Sequence, residues 1–311
     1  MVTLTHTIYR HEALLYRSVR EFVDVAAPFV REGLRCGQPV MVAVAGARLD
    51  ALRGALGPDA VAVNFADMAE IGRNPARIIP AWLDFVSRHE GKPLRGIGEP
   101  IWSGRSDTEI EECQLHEVLL NRAVRPDVPL WLICPYDVSA LEPAVLQEAH
   151  RSHPVIVESD QYRGSTTYGG AYHAQALFNR PLTEPAVETV ELTLTIWDVS
   201  RLQEFIAAAA DQGGVEPECA RALSWSVRQL ATDSIRIGGA ARLRYWNCSG
   251  HFVVEISDQG VVNDPLIGRR LIADQEPRRR SIHHANQTAD LVQVRSNPSG
   301  TVVRVHTRSS R

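Results

Sequence analysis

Short apolar runs set between helix-length segments constrain the first half of this chain more than any other feature. Pro39 to Ala45 (PVMVAVA) is a short apolar run, and Ala60 to Asn64, Leu94 to Glu99 and Leu130 to Cys134 are further strand candidates of similar length. Helical spacing over Glu12 to Leu34, Arg48 to Leu56, Asn74 to Arg88 and Asp107 to Val124 fills the intervals. Strands joined by helices of that length imply right-handed crossovers, so the pattern predicts an α/β domain with a mainly parallel sheet covered on both faces. Function in such sheets gathers at the strands' carboxyl ends. That rule singles out Glu99, Pro100 and Trp102 after the third run, and Tyr136 and Asp137 after the fourth. The first run continues as AVAGARLDAL, with no Gly-rich Lys-Ser/Thr loop, which excludes an ordinary phosphate-loop ATPase.

At 311 residues the chain exceeds one ordinary core, and two domains are expected. Ser159 to Pro185 breaks the pattern with Gly, Ser, Thr, Tyr and Pro in no sustained period. Residues 159–187 therefore read as a linker between a first domain at 1–158 and a second at 188–308. Its tyrosines and Phe178 suit a segment lying on a domain surface, with a flexible tether as the alternative. Hydrophobic residues at 44% and charged residues at 23% argue against extensive disorder, and a net charge of -4 carries no general nucleic-acid signal. The cysteines, Cys36, Cys113, Cys134, Cys219 and Cys248, have neither zinc-site spacing nor secreted-scaffold density, which fits a reducing compartment. The start MVTLTHTIYRHE shows no basic-then-apolar signal segment, and no apolar run approaches the roughly 20 residues that span a bilayer. A cytoplasmic protein is expected.

The second half carries RQLATDSIRIGG at Arg228 to Gly239 and ISDQG at Ile256 to Gly260. On a helix, Gln229 and Asp233 share one face while Val227, Leu230, Ala231 and Ile235 cover the other. A strand over Phe252 to Ser257 then delivers Asp258 and Gly260 into a tight turn, an arrangement suited to an adenine amino group. These segments resemble the GHKL (Bergerat-fold) ATPases, and more closely the serine/threonine kinase-like anti-sigma regulators of actinobacteria, over roughly the last third of the chain. The resemblance implies an α+β sandwich that binds ATP or ADP with Mg through Asp233, Arg236, Asp258, Gly260 and Thr301. It places Gln229 at the general-base position and Asp233 at the magnesium-holding position, where the family has glutamate and asparagine. A glutamine has no carboxylate to take up a proton. The family's glycine-rich lid aligns with Arg278 to Val292 (RRRSIHHANQTADLV), whose Arg278, Arg279 and Ser281 replace glycines. Arg278, Arg279 and Arg280 then read as a surface for phosphate or an acidic protein partner, with a solvated charge run as the bland alternative. Asn297 to Val305 resembles the family's closing hairpin, which would set Thr301 against the Asp258 carboxylate.

In the first half, RHEALLY (Arg10 to Tyr16), GRNPARIIPAW (Gly72 to Trp82), GIGEPIWSGR (Gly96 to Arg105), LHEVLLN (Leu115 to Asn121) and ICPYD (Ile133 to Asp137) together resemble the MEDS sensory domain. That resemblance implies a RecA/KaiC-like sheet without a phosphate loop and a role in sensing small molecules. A pocket is expected from His11, Glu99, His116, Glu117, Cys134 and Asp137, with Tyr16, Trp102 and Tyr136 as walls. A metal site from His11, His116 and Cys134 competes with it, although no local ligand pair fixes its geometry.

A MEDS-like domain joined to a kinase-like domain is the layout of RsbA-type anti-sigma regulatory proteins. The expected function is a regulator that senses a small-molecule ligand and docks a sigma factor or anti-anti-sigma factor, with no phosphoryl transfer. The alternative is an active serine/threonine kinase using Mg-ATP, because phosphoryl transfer rests mainly on positioning. A histidine kinase is disfavoured, since no helix pair bearing a phospho-accepting histidine precedes the ATPase-like segment. Nucleic-acid binding lacks interleaved aromatics around Arg269, Arg270 and Arg278 to Arg280. A homodimer is compatible with either regulatory reading.

Overall fold

The computed structural model describes residues 9–159, 161–270 and 276–310. The first eight residues, where the absence of a signal segment was read, lie outside them. Backbone contacts divide the chain into two compact units, Met1–Ala174 and Gln175–Arg311. Among the described residues no helix is long and apolar enough to cross a membrane.

The first unit runs β1 (Arg10–Tyr16), α1 (Val19–Arg35), β2 (Val40–Val44), α2 (Ala47–Leu56), β3 (Asn64–Asp67), α3 (Met68–Ile71), α4 (Ile78–Arg88), β4 (Leu94–Gly98), α5 (Asp107–Ala123), β5 (Leu130–Asp137), α6 (Pro143–Ser152), β6 (Val155–Glu158) and β7 (Gln161–Gly164). The sheet order is β3-β2-β4-β5-β1-β6-β7, parallel throughout except for the β6–β7 pair. The mainly parallel sheet expected from the alternating pattern is present.

Two of the expected elements differ. The helix read over Glu12 to Leu34 is a strand followed by a helix, because Arg10–Tyr16 inserts between β5 and β6 and pairs on both edges. Every residue of β1 after Arg10 is buried, and two-sided pairing overrides the helical preference of EALL. The helix starts only at Val19, where the Ser18 side chain accepts the Glu21 N–H at 3.1 Å. The strand read at Ala60 to Asn64 begins at Asn64 instead. Gly57–Ala62 forms a 3-10 turn that Pro58 initiates with its fixed φ. The 159–187 segment contains β7 and a helix, α7 (Gly170–Asn179).

The second unit continues with β8 (Val190–Leu194), α8 (Val199–Gln212), α9 (Pro217–Gly238), β9 (Ala241–Cys248), β10 (His251–Asp258), α10 (Pro277–Thr288), β11 (Leu291–Asn297) and β12 (Gly300–Arg308). Its separate antiparallel sheet has the order β11-β12-β10-β9-β8. Helix α9 ends where Gly239 adopts a left-handed φ of 76°, a conformation a side chain would strain. The fold is thus mixed: a mostly parallel sheet in one unit and an antiparallel sheet in the other.

On one face of the first sheet, Leu14, Tyr16, Val42, Ile97 and Ile133 pack with Phe22, Val30 and Leu52 from α1 and α2. On the β4 strand Gly96 and Gly98 admit the Trp82 ring of α4. A Cβ at Gly96 would stand 2.7 Å from Trp82 Cζ3 and 2.8 Å from Leu132 Cδ1. Gly96→Ala is therefore expected to destabilise the first unit by about 1–3 kcal/mol through overpacking. Urea denaturation followed by tryptophan fluorescence measures it, and an unchanged midpoint would refute this packing account.

Candidate functional site

Successive side chains of a strand point to opposite faces, and this sorts the residues expected in one sensory pocket. His11 on β1 and Cys134 and Tyr136 on β5 reach Glu117 of α5. Tyr16, at the other parity of β1, joins the opposite face with α1 and α2. The expected single pocket is two polar clusters, one on each face.

The first cluster is sealed. His11, Glu117, Cys134 and His153 are at most 2% exposed. His11 Nε2 stands 3.1 Å from Glu117 Oε2 and 3.2 Å from Cys134 Sγ. Cys134 Sγ lies 3.4 Å from Glu117 Oε2, and His153 Nε2 also lies 3.4 Å from that oxygen. Burial opposes the Glu117 charge, but His153 and His11 hold its carboxyl well below the ordinary range. Burial and the neighbouring His153 push the His11 imidazole down. Burial, then Glu117, pushes the Cys134 thiol up, so it stays an S–H donor. Tyr136 donates to Glu117 Oε1 at 3.2 Å, and Asn121 meets His11 Nδ1 at 3.1 Å. His116 is buried on α5 but is not among the four. His153, which follows α6 three residues after His150, is not among the residues the sequence singles out, because its partners Glu117 and Cys134 lie far away in the chain.

The second cluster sits where the carboxyl-end rule predicts. Tyr16 ends β1, Glu99 follows β4 and Asp137 ends β5. The Tyr16 hydroxyl donates to Glu99 Oε1 at 2.7 Å, and Arg48 Nε donates to Glu99 Oε2 at 2.5 Å. Burial pushes the Glu99 carboxyl up to about 7, against the opposing pull of Arg48 and Tyr16. Asp137 accepts the Ser139 N–H and hydroxyl at 3.0 and 2.6 Å. Trp102 joins neither cluster. The Arg105 guanidinium stacks 4.0 Å from its ring centroid and donates to the Pro100 and Gly72 carbonyls at 2.6 and 2.7 Å, clamping that loop. Arg48 was missed, although its place just past the carboxyl end of β2 is a signal of the same kind.

In the second unit, Asp258 ends β10 with its side chain 1% exposed. Arg278 Nη2 donates to Oδ2 at 2.8 Å and Nη1 to Oδ1 at 3.3 Å. The Gly260 N–H also donates to Oδ1, at 2.8 Å. A Cβ at Gly260 would lie 2.4 Å from Ile237 Cγ2, so the isoleucine covers the face that Gly260 leaves open. Thr301 pairs with Asp258 across the strands, but its hydroxyl donates to the Gly260 carbonyl at 2.6 Å and does not face the carboxylate. Gln229 and Asp233 share one face of α9, lining a 330 Å³ cleft with Trp225, Arg236, Pro277, Arg280 and Ser281. Asp233 is 3.5 Å from Arg236. Of the arginines read as a docking surface, Arg278 is buried against Asp258, Arg279 pairs with Asp264 and Glu276 at 2.7 and 2.8 Å, and Arg280 is exposed.

The groups expected to hold a magnesium nucleotide are engaged within the unit. An adenine amino group needs an acceptor, and both Asp258 oxygens already accept from Arg278. Asp233 shares its cleft with the cationic side chains of Arg236 and Arg280.

Comparison with known proteins adds a domain. Residues 10–154 match the model of the MEDS family, described as the MEthanogen/methylotroph, DcmR Sensory domain. No curated protein matches the chain. A solved structure described as an ATPase domain is similar at 10% identity and a TM-score of 0.32, over 50% of this chain and 69% of that one. The sensory-domain match supports a signalling or regulatory role.

The Glu99 carboxyl gives a pH prediction. Its folded pKa of about 7 lies above the ordinary 4.5, so the folded state binds the proton more tightly. The corresponding stability is fully present below pH 4.5 and is lost as pH rises through 7. Glu99→Gln is expected to flatten this decline, by an amount on the order of 1–3 kcal/mol. Denaturation midpoints of both proteins between pH 4 and 8 test it; parallel profiles would contradict the assignment.

Proposed function

We propose that this chain is a signal-transduction regulator of the anti-sigma type. The first unit senses a small ligand. The second, a degenerate GHKL (Bergerat) ATPase-like domain, docks a sigma factor or anti-anti-sigma factor and transfers no phosphate. One observation carries the second half of this reading: the Arg278 guanidinium occupies the Asp258 carboxylate. A group that would hold adenine holds the chain's own lid helix. Gln229, at the position where the kinase-like family has its base, offers no proton acceptor of carboxylate strength. The sensory-domain match at residues 10–154 supports the first half.

The same cleft has the chemistry of a protein contact. Trp225 is 38% exposed beside Arg280, and the Arg236 side chain is 64% exposed. Arginine and tryptophan dominate interface hot spots, and their charge favours an acidic partner surface.

The chain co-expressed with each sigma factor and anti-anti-sigma factor of its source genome is expected to retain one of them through affinity purification. Arg280→Glu together with Trp225→Ala is expected to weaken that complex at least about tenfold. Retention of none would overturn the docking reading, as would a complex indifferent to both substitutions.

A further inference from the structure

We propose that His11, Glu117, Cys134 and His153 form a four-ligand site for a divalent transition-metal ion of borderline softness, with Zn2+ the best match. The first reason is spacing. One ligand atom from each residue lies within 4.8 Å of all the others, and the shorter separations are 3.1, 3.2, 3.4 and 3.4 Å. Zinc bonds of about 2.0–2.3 Å in tetrahedral geometry put neighbouring ligand atoms about 3.3–3.6 Å apart.

The second reason is the direction of the lone pairs. Asn121 Nδ2 donates to the Ser152 carbonyl at 2.7 Å, which turns its Oδ1 toward His11 Nδ1, 3.1 Å away. His11 therefore carries its proton on Nδ1 and aims the Nε2 lone pair inward. His153 Nδ1 stands 2.9 Å from the Ala149 carbonyl, which fixes the same tautomer. His153 Nε2 is buried, makes no hydrogen bond and faces Glu117 Oε2. Two imidazole nitrogens, a carboxylate oxygen and a thiol sulfur therefore converge on one point, a donor set that a single cation can bridge. Outer partners that hold the far nitrogen of each histidine are the usual support of metal ligands.

The third reason is charge. Binding M2+ releases the Cys134 thiol proton to solvent. One thiolate, one carboxylate, two neutral imidazoles and the dication then sum to zero. A sealed interior tolerates a neutral site far better than an isolated charge. Thiolate with imidazole selects zinc-like ions over magnesium or calcium. The site requires neither nucleotide nor protein partner, so its failure leaves the docking reading standing, and the reverse also holds.

Because all four side chains are sealed, the ion enters during synthesis or refolding. The full chain refolded with Zn2+ and dialysed against a weak chelator is expected to retain one zinc per chain by elemental analysis. Refolding with Co2+ is expected to give a thiolate-to-cobalt charge-transfer band. Cys134→Ser and His153→Gln are each expected to weaken retention at least about tenfold. Wild-type protein without zinc above background, zinc content unchanged in both variants, or bound cobalt without the thiolate band would each overturn the proposal. The cobalt spectrum of the wild-type chain decides even where a variant fails to fold.

Discussion

Strand side chains alternate between faces, and both units depend on that constraint for where their polar groups end up. In the first unit it sends His11, Cys134 and Tyr136 to Glu117, and Tyr16 to Glu99. In the second it sends Asp258 of β10 to Arg278 of α10. Glu255, at the opposite parity of the same strand, takes Arg244 Nε at 2.8 Å and Arg304 Nη2 at 2.7 Å. A one-residue slip in any of these strands would exchange the two sets and separate each carboxylate from its partners.

Burial then decides what each set can do. A buried carboxylate without a partner is costly, and removing one member of a buried ion pair commonly costs about 3–5 kcal/mol. Asp258 and Glu255 are each matched inside their own unit. Glu117 differs: its neighbours are two imidazoles, a thiol and the Tyr136 hydroxyl rather than an arginine. Such groups neutralise it only by sharing protons or by sharing an ion.

The sequence made the parallel sheet legible because β2 and most of β5 are buried on both faces and read as apolar runs, with helix-length segments between them and β4. It hid β1, whose RHEALLY begins with residues that look solvent-facing, although His11 and Glu12 are each 1% exposed. Their partners, Glu117 and Trp131, lie more than a hundred residues away. The individual site residues were also visible, since strand ends mark Glu99, Tyr136 and Asp137. Their grouping was not, because it needs strand parity, and β1 has no strand parity while it reads as helix. Asp258 was recognisable from its turn with Gly260. Arg278 as its partner was not, because the pair is twenty residues apart and forms only when α10 packs.

The proposed degenerate ATPase-like reading turns on Arg278 holding the Asp258 carboxylate where a nucleotide would be held. Isothermal titration of the full chain with ATP and magnesium tests this most directly. The closed Asp258–Arg278 pair predicts no saturable heat, with or without the metal. Stoichiometric, magnesium-dependent binding of ATP would contradict it.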